Sequence, residues 1–377
     1  MLFGGDDTAF LDMGLNSPYQ RHLDDNTVRS LVSSISESEV HKVVSSMSPY
    51  KAPGPDGCQA FFYQKFWKSV GGLVTKIVRE SFLSGKINSG IGRSFLCLIP
   101  KVEHPESITQ FRPIALCNVL FKIVTKTVVL RLKPFMDKLI SPHQSSFIPG
   151  RSTHDNILVL QELAHTLAAS HSKKGSMLIK LDLEKAYDKV RWDFLTQTLQ
   201  DFHFPEKLVN LIMSCVESAH LQILWNGEPL EPFAPRCGLH QGDPLSPYLF
   251  VLCMERLSYL IEEEVNNKVW DPISFGRNGP CISHMFFADD IILAAKANEK
   301  SARSIQKTLD LFCKASGLKV SLAKSTVYFA PRTAPSVRGD MVEILNFQPT
   351  SHLGKYLGVN INHSRNSSSN FRDADKG

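Results

Sequence analysis

The sequence predicts an α+β fold with helices packed on a mainly antiparallel sheet. Three observations carry that expectation. Apolar residues recur at helical spacing in several long segments, among them 58–84 and 118–135. A strand-like alternation at 177–183 and a split apolar run at 285–295 supply sheet elements. At 43% hydrophobic and 21% charged residues, the composition is that of a globular chain.

Taken in order, residues 1–35 show no clear periodicity and read as an N-terminal tether. A helix is expected from Ser36, where Ser36 and Glu39 have capping-box spacing ahead of Val40, Val43, Val44 and Met47. Pro49 and the turn-rich stretch 51–57 stop it. Residues 58–84 read as helix with Gly85 as the stop. A short apolar strand follows at 95–99. Residues 118–135 read as a helix whose Lys122, Lys126 and Lys133 share a face. The Ser/Asn-rich stretch 364–370 has no apolar face to bury, so the tail 364–377 is expected to be disordered.

The length of 377 residues allows one large or two to three ordinary domains. The apolar run 248–254 falls far short of the roughly 20 residues that a membrane helix needs. Asp6 and Asp7 stand where a signal peptide carries basic residues, so the chain reads as soluble, intracellular and not secreted. Eight cysteines occur singly, without metal-knuckle spacing, and are expected as free thiols, mostly buried. The net charge of +5 is unevenly distributed. Between 111 and 151 there are seven basic residues (Arg112, Lys122, Lys126, Arg131, Lys133, Lys138, Arg151) against one acid, Asp137. A polyanionic partner or a solvated helix face would each account for this.

The acids are placed unusually. In 177–183, Met177, Ile179, Leu181 and Leu183 point one way, and Lys180 and Asp182 the other. With 184–200 read as a helix, Asp182 ends a strand, where it either caps the helix or serves as a ligand. The run 285–295 reads as two strands joined at Asp289 and Asp290. Carboxylates in apolar surroundings are costly unless a cation compensates, though a hairpin tip would leave them solvated. Asp182, Asp289 and Asp290 together form a hard-oxygen set suited to Mg²⁺ if the fold brings them together. Between them, 238–247 (GLHQGDPLSP) forms a shaped loop feeding a helix through Leu249, Cys253, Leu257 and Ile261. Such a loop is either a connector or a cradle for a nucleotide or template.

Eight segments in order carry a resemblance. They are KAPGPDG at 51–57, IPK to FRPIAL within 99–116, QSSFIPGRS at 144–152, KLDLEKAYDKVRWDFL at 180–195, GLHQGDPLSPYLF at 238–250, FADD at 287–290, SGLKVSLAKS at 316–325 and KYLGV at 355–359. Across roughly 36–362 the chain resembles the reverse transcriptases of non-LTR (LINE-type) retrotransposons, particularly those of plants. The resemblance implies a right-hand polymerase with fingers, palm and truncated thumb, the palm an antiparallel sheet covered by helices. Its segments would be fingers and family-specific insertions at 36–176, palm at 177–330, and palm end, primer grip and thumb stub at 331–363. It also implies an RNA template, a DNA primer, deoxynucleoside triphosphates and two Mg²⁺ ions, with Mn²⁺ as a substitute, and work in the nucleus or cytoplasm with no membrane partner.

Residue by residue, the resemblance makes Asp182 and Asp289 the principal metal ligands and Asp290 the third acid. Tyr187 would exclude a ribose 2′-hydroxyl. Gln241 and Gly242 would touch nucleotide and template, Arg112 would clamp the triphosphate, and Lys101 would add charge there. Lys324 would protonate pyrophosphate, Tyr356, Leu357 and Gly358 would grip the primer end, and Arg151 would contact RNA. Ser321 departs from the Asn usual in the family. The endonuclease that precedes this region in the family and the thumb that follows it are expected to be missing; the missing thumb motivates a second reading, a remnant that binds template–primer without turnover, and the basic zone at 111–151 a third, a domesticated binding protein.

Overall fold

The computed structural model describes residues 20–170, 175–218, 220–275 and 279–361. The tether up to residue 19 and the 364–377 tail lie outside these. The described residues form two compact units, each assembled from separated stretches: 21–139 with 187–252, and 140–186 with 253–361. These groupings cross the segment boundaries expected from the sequence, because strand pairing joins residues far apart in the chain.

In the first unit the sheet order is Phe111–Cys117, Arg93–Pro100, His220–Trp225, Glu228–Pro229. Arg93–Pro100 pairs antiparallel with Phe111–Cys117 and parallel with His220–Trp225. The helix Glu37–Ser45 packs against Trp67–Ser84 and Val119–Leu132. Ser36 caps it by accepting the Glu39 N–H at 3.2 Å. The expected reciprocal bond from the Glu39 side chain gives way to a stronger one, since its carboxylate takes both arms of the Arg131 guanidinium, at 2.6 and 2.9 Å. Two helical expectations are modified. Residues 58–84 form Ala60–Lys65 and Trp67–Ser84, with a break at Phe66 and a left-handed stop at Gly85. Residues 21–35 hold a further helix, Asp25–Leu31, capped by Asp24 and anchored by the buried Leu31, so they are not a tether.

The helix expected at 118–135 runs Val119–Leu132 and then tightens through Lys133–Phe135. It is buried nearly all round, with Val119, Phe121, Ile123, Val124, Thr127, Val128 and Leu132 all inside. Two of its cations are drawn into the fold, while Lys133 stays exposed. Arg131 also donates to the carbonyls of Leu31, Ser33 and Ser34, and Lys126 reaches the carbonyl of Ser46.

The second unit is built on a five-stranded sheet, ordered Gln348–Thr350, Thr326–Phe329, Ser176–Leu181, Asp290–Lys296, His284–Phe287. All its neighbours are antiparallel except the first pair. Leu160, Leu163, Ala164 and Leu167 of the helix Thr153–Ala169 pack on Leu178, Ile292, Ala294 and Tyr328. Met177, Leu178 and Ile179 are all fully buried, so the central strand is covered on both faces and strict alternation appears only from Lys180 onward. Of the eight thiols, all free, Cys117, Cys215, Cys237 and Cys253 are buried, and Cys281 is exposed. No helix among the described residues is long and apolar enough to cross a membrane.

Candidate active site

Pairing register brings the predicted acids to one edge of the second unit's sheet. Leu181 faces Ile291 and Lys180 faces Ile292, so one step further along Asp182 stands across from Asp290. On its other side, Lys180 faces Thr326, which sets Asp182 across from Lys324. The Lys324 Nζ lies 3.7 Å from Asp182 Oδ2. The backbone of Asp182 is fixed at both ends. Its N–H donates to Oγ of the buried Ser325 at 3.2 Å, and its carbonyl accepts the Ser321 N–H at 2.8 Å. The latter bond is main-chain to main-chain, so Ser321 in place of Asn leaves it untouched.

His284–Phe287 and Asp290–Lys296 form a hairpin in which Phe287 pairs with Asp290. Ala288 and Asp289 are its two-residue tip. Tight hairpin turns favour Gly or Asn; here Ala288 adopts φ +54°, a left-handed conformation that costs an L-residue roughly 1–2 kcal/mol. Its N–H donates to Gln144 Oε1 at 3.1 Å and to Ser146 Oγ at 2.8 Å. Asp289 and Asp290 reach solvent at the tip.

Crowding of charge is felt at Asp290. Partial desolvation, then the neighbouring Asp289, raise its pKa; Lys180 opposes the shift and Asp182 adds to it. Ionised Asp290 therefore works against the fold, a cost absent below its unfolded pKa and fully present above the raised folded one. Asp290→Asn is expected to melt higher than the wild type at pH 7, with the advantage shrinking as pH falls through the raised pKa. Thermal melts across pH 4–8, an interval spanning carboxylate titration, check this; a pH-independent difference would rule out the electrostatic origin.

The other predicted residues divide between the units. The 355–360 hairpin in the second unit turns through Leu357 at φ +48° and Gly358 at φ +85°. Tyr356 is buried, its hydroxyl accepts from Asn156 Nδ2 at 3.3 Å, and burial pushes its pKa up to about 12. Only Leu357 and Gly358 of that trio form the tip. Arg151 donates to the carbonyls of Ile140, Ser141 and Gln144, a bracing role that its basic character alone did not reveal.

In the first unit, Arg112 is exposed on a strand opposite Ile99, and Lys101 is exposed just past the end of Arg93–Pro100, its N–H donating to the Gln110 carbonyl. The helix expected at 184–200 is in fact two, Ala186–Lys189 and Trp192–Asp201. The 237–241 stretch takes the carbonyls at the break: Leu239 N–H bonds to Tyr187 O at 2.7 Å and Gly238 N–H to Val190 O at 2.8 Å. Tyr187 stacks on Phe250 with centroids 4.5 Å apart. Gln241 donates to Asp188 Oδ1 at 3.2 Å and accepts the Ala115 N–H at 2.7 Å. At Gly242, φ +120°, an added Cβ would come 2.5 Å from the Ala115 carbonyl oxygen, so only glycine fits.

Two groups in that loop escaped sequence reasoning. His240 and Asp243 are buried; burial lowers the imidazole to about 4 and raises the carboxyl to about 6. As single polar residues in a connector they carry no sequence signal of burial.

Among the described residues no three His, Cys, Asp or Glu side chains converge closely enough to hold a metal ion. The donor chemistry nevertheless fits one, since a cation would offset the partial desolvation and the Asp289 repulsion that raise Asp290. Asp182 and Asp289, with Asp290, would hold it.

A family model described as reverse transcriptase (RNA-dependent DNA polymerase) matches residues 99–361. The chain is 29% identical over 333 residues to the transposon TX1 uncharacterized 149 kDa protein of Xenopus laevis, covering 86% of this chain and 24% of that protein. It is 28% identical over 350 residues to the retrovirus-related Pol polyprotein from type-2 retrotransposable element R2DM of Drosophila melanogaster, covering 89% of this chain and 31% of that protein. The chain thus spans a third or less of the length of these relatives. With the family match covering most of the chain and retrotransposon proteins aligning along nearly all of it, the chain belongs to the reverse transcriptase family, in its LINE-type branch.

Proposed function

We propose that this chain is the catalytic core of an RNA-directed DNA polymerase of a LINE-type element, extending a DNA primer on an RNA template. The observation that carries the reading is the register that brings Lys324, Asp182 and Asp290 together at the ends of three neighbouring strands, with Asp289 at the adjoining hairpin tip. In the reaction the primer 3′-hydroxyl oxygen bonds to the α-phosphorus of a deoxynucleoside triphosphate and pyrophosphate leaves. Two Mg²⁺ ions, or Mn²⁺ in their place, would supply activation of the hydroxyl and charge stabilisation on the phosphates when bound. Lys324 would give a proton to the departing pyrophosphate. Arg112, with Lys101, offers charge for the triphosphate.

Gln241 and Gly242 would face nucleotide and template, and the Leu357–Gly358 tip would meet the primer end. Arg151 would act on RNA through the 140–144 stretch it braces. Work in the nucleus after assembly in the cytoplasm goes with this reading.

Tyr187 gives the reading a specificity test. Its ring, set by Phe250, would collide with a ribose 2′-hydroxyl. Tyr187→Val is expected to reduce the preference for deoxynucleotides over ribonucleotides by about 10–100-fold, measured as the ratio of the two kcat/KM values. An unchanged ratio would assign Tyr187 to packing alone.

The test of the function is primer extension on an RNA template with the purified chain, Mg²⁺ and deoxynucleotides. Extension supports a polymerase. Template–primer binding without extension supports the remnant reading. Binding should weaken steeply with salt, as counterion release requires. Because Arg131 and Arg151 are engaged internally, fewer than the seven cations at 111–151 should count toward that slope.

A further inference from the structure

We propose that Gln144 and Ser146 are positioning residues that hold Ala288 in its left-handed conformation and so set where Asp289 and Asp290 stand. The proposal rests on the polymerase reading above and deepens it, since neither residue touches the reacting atoms.

The stretch 143–146 runs along the outer strand His284–Phe287. Phe286 N–H donates to the His143 carbonyl at 2.7 Å, and Ser145 N–H to the Phe286 carbonyl at 3.1 Å. This pairing delivers the Gln144 and Ser146 side chains to the hairpin tip. Both are buried. Gln144 Oε1 accepts from three donors: Ser146 N–H at 3.0 Å, Ser146 Oγ at 2.8 Å and Ala288 N–H at 3.1 Å. Two of these donors are main-chain amides, so the orientation of the side-chain amide is dictated. Its Nε2 is then left buried with no hydrogen-bond partner. A glutamine selected only for stability would not leave a buried donor unmet. The strained tip and the unmet donor point to geometry as the property being held.

The clamp is itself braced. Arg151 holds the carbonyls of Ile140, Ser141 and Gln144. Glu255 accepts the Ser141 N–H at 2.8 Å. Asn156 accepts from Ser145 Oγ at 2.6 Å and donates to the carbonyl of Phe286 and to the Tyr356 hydroxyl. One connected set of bonds thus runs from the carboxylate hairpin to the base of the 355–360 hairpin.

The experiment measures single-turnover extension and amide hydrogen exchange across 286–290 for four proteins: wild type, Gln144→Ala, Ala288→Gly and the double variant. Gln144→Ala is expected to lower kcat by at least about tenfold, with KM for deoxynucleotide and template–primer affinity within about twofold. Exchange in the 286–290 stretch should rise by about tenfold or more while the rest of the sheet stays protected. Glycine takes the left-handed conformation without a side-chain penalty. Ala288→Gly should therefore restore kcat in the Gln144→Ala background, by a factor about tenfold larger than its effect in wild type.

Equal effects of Ala288→Gly in both backgrounds, or unchanged exchange at 286–290, would overturn the proposal. If the wild type does not extend primers, the polymerase reading fails for this chain and the exchange arms still decide the positioning role. If Gln144→Ala does not fold, Ser146→Ala, which removes one acceptor of the Ala288 N–H, is read in the same way.

Discussion

Replacing Asp289 with Asn is expected to abolish primer extension while leaving the fold at least as stable as before. The substitution is nearly isosteric, and Asn is at ease in a hairpin tip. It removes one unit of negative charge from a position that already raises the proton affinity of Asp290. The variant should therefore melt no lower than the wild type, and Asp290 should titrate at lower pH. Chemistry moves in the opposite direction, because a neutral amide is a poor ligand for a hard divalent cation. Extension should fall below detection, a loss of about a thousandfold or more, on the scale of deleting a principal electrostatic stabiliser. Divalent cation should raise the melting temperature of the wild type and not of the variant. Full extension by the Asp289→Asn variant would remove Asp289 from the machinery, and a large drop in melting temperature would mean that its role is structural.

Arg131→Ala is expected to have the largest effect on stability. The guanidinium is mostly buried, grips both oxygens of Glu39, and donates to three carbonyls of the 31–34 turn. Removing it strands the Glu39 carboxylate and the part-buried Leu31 carbonyl, and breaking a buried pair on one side costs about 3–5 kcal/mol. Urea unfolding of the first unit should report a loss of at least about 3 kcal/mol on that basis. The double variant Arg131→Ala, Glu39→Ala should recover part of it, since the stranded charge goes too. A loss below about 1 kcal/mol would put the pair in the class of surface ion pairs.

The element types were largely legible in the sequence, and the reasons for the misses are physical. Ser36 and Gly85 marked helix ends through local chemistry, which acts within a few residues and is written there. The break after Lys189 was invisible because it depends on amides about 50 residues away, at Gly238 and Leu239, taking the carbonyls that a continuous helix would use. The charges of Arg131 and Arg151 are visible in the sequence, whereas the carboxylate and carbonyls that they hold are not. Asp289 and Asp290 stood out because they interrupt an apolar run. That Asp182 stands across from Asp290 followed only from the strand register. Gln144 left no such trace, since an amide in a mixed-polarity stretch looks like any other loop residue.

The interleaving of the two units bears on how such a chain survives as genetic material. Residues 140–186 belong with 253–361, and 187–252 with 21–139. A single crossover anywhere between 140 and 252 therefore delivers neither unit whole to either product. Exchange of one unit between related elements requires several coordinated junctions. Both units are accordingly expected to share one ancestry along the chain, and an early stop codon in the middle third would remove essential parts of both at once.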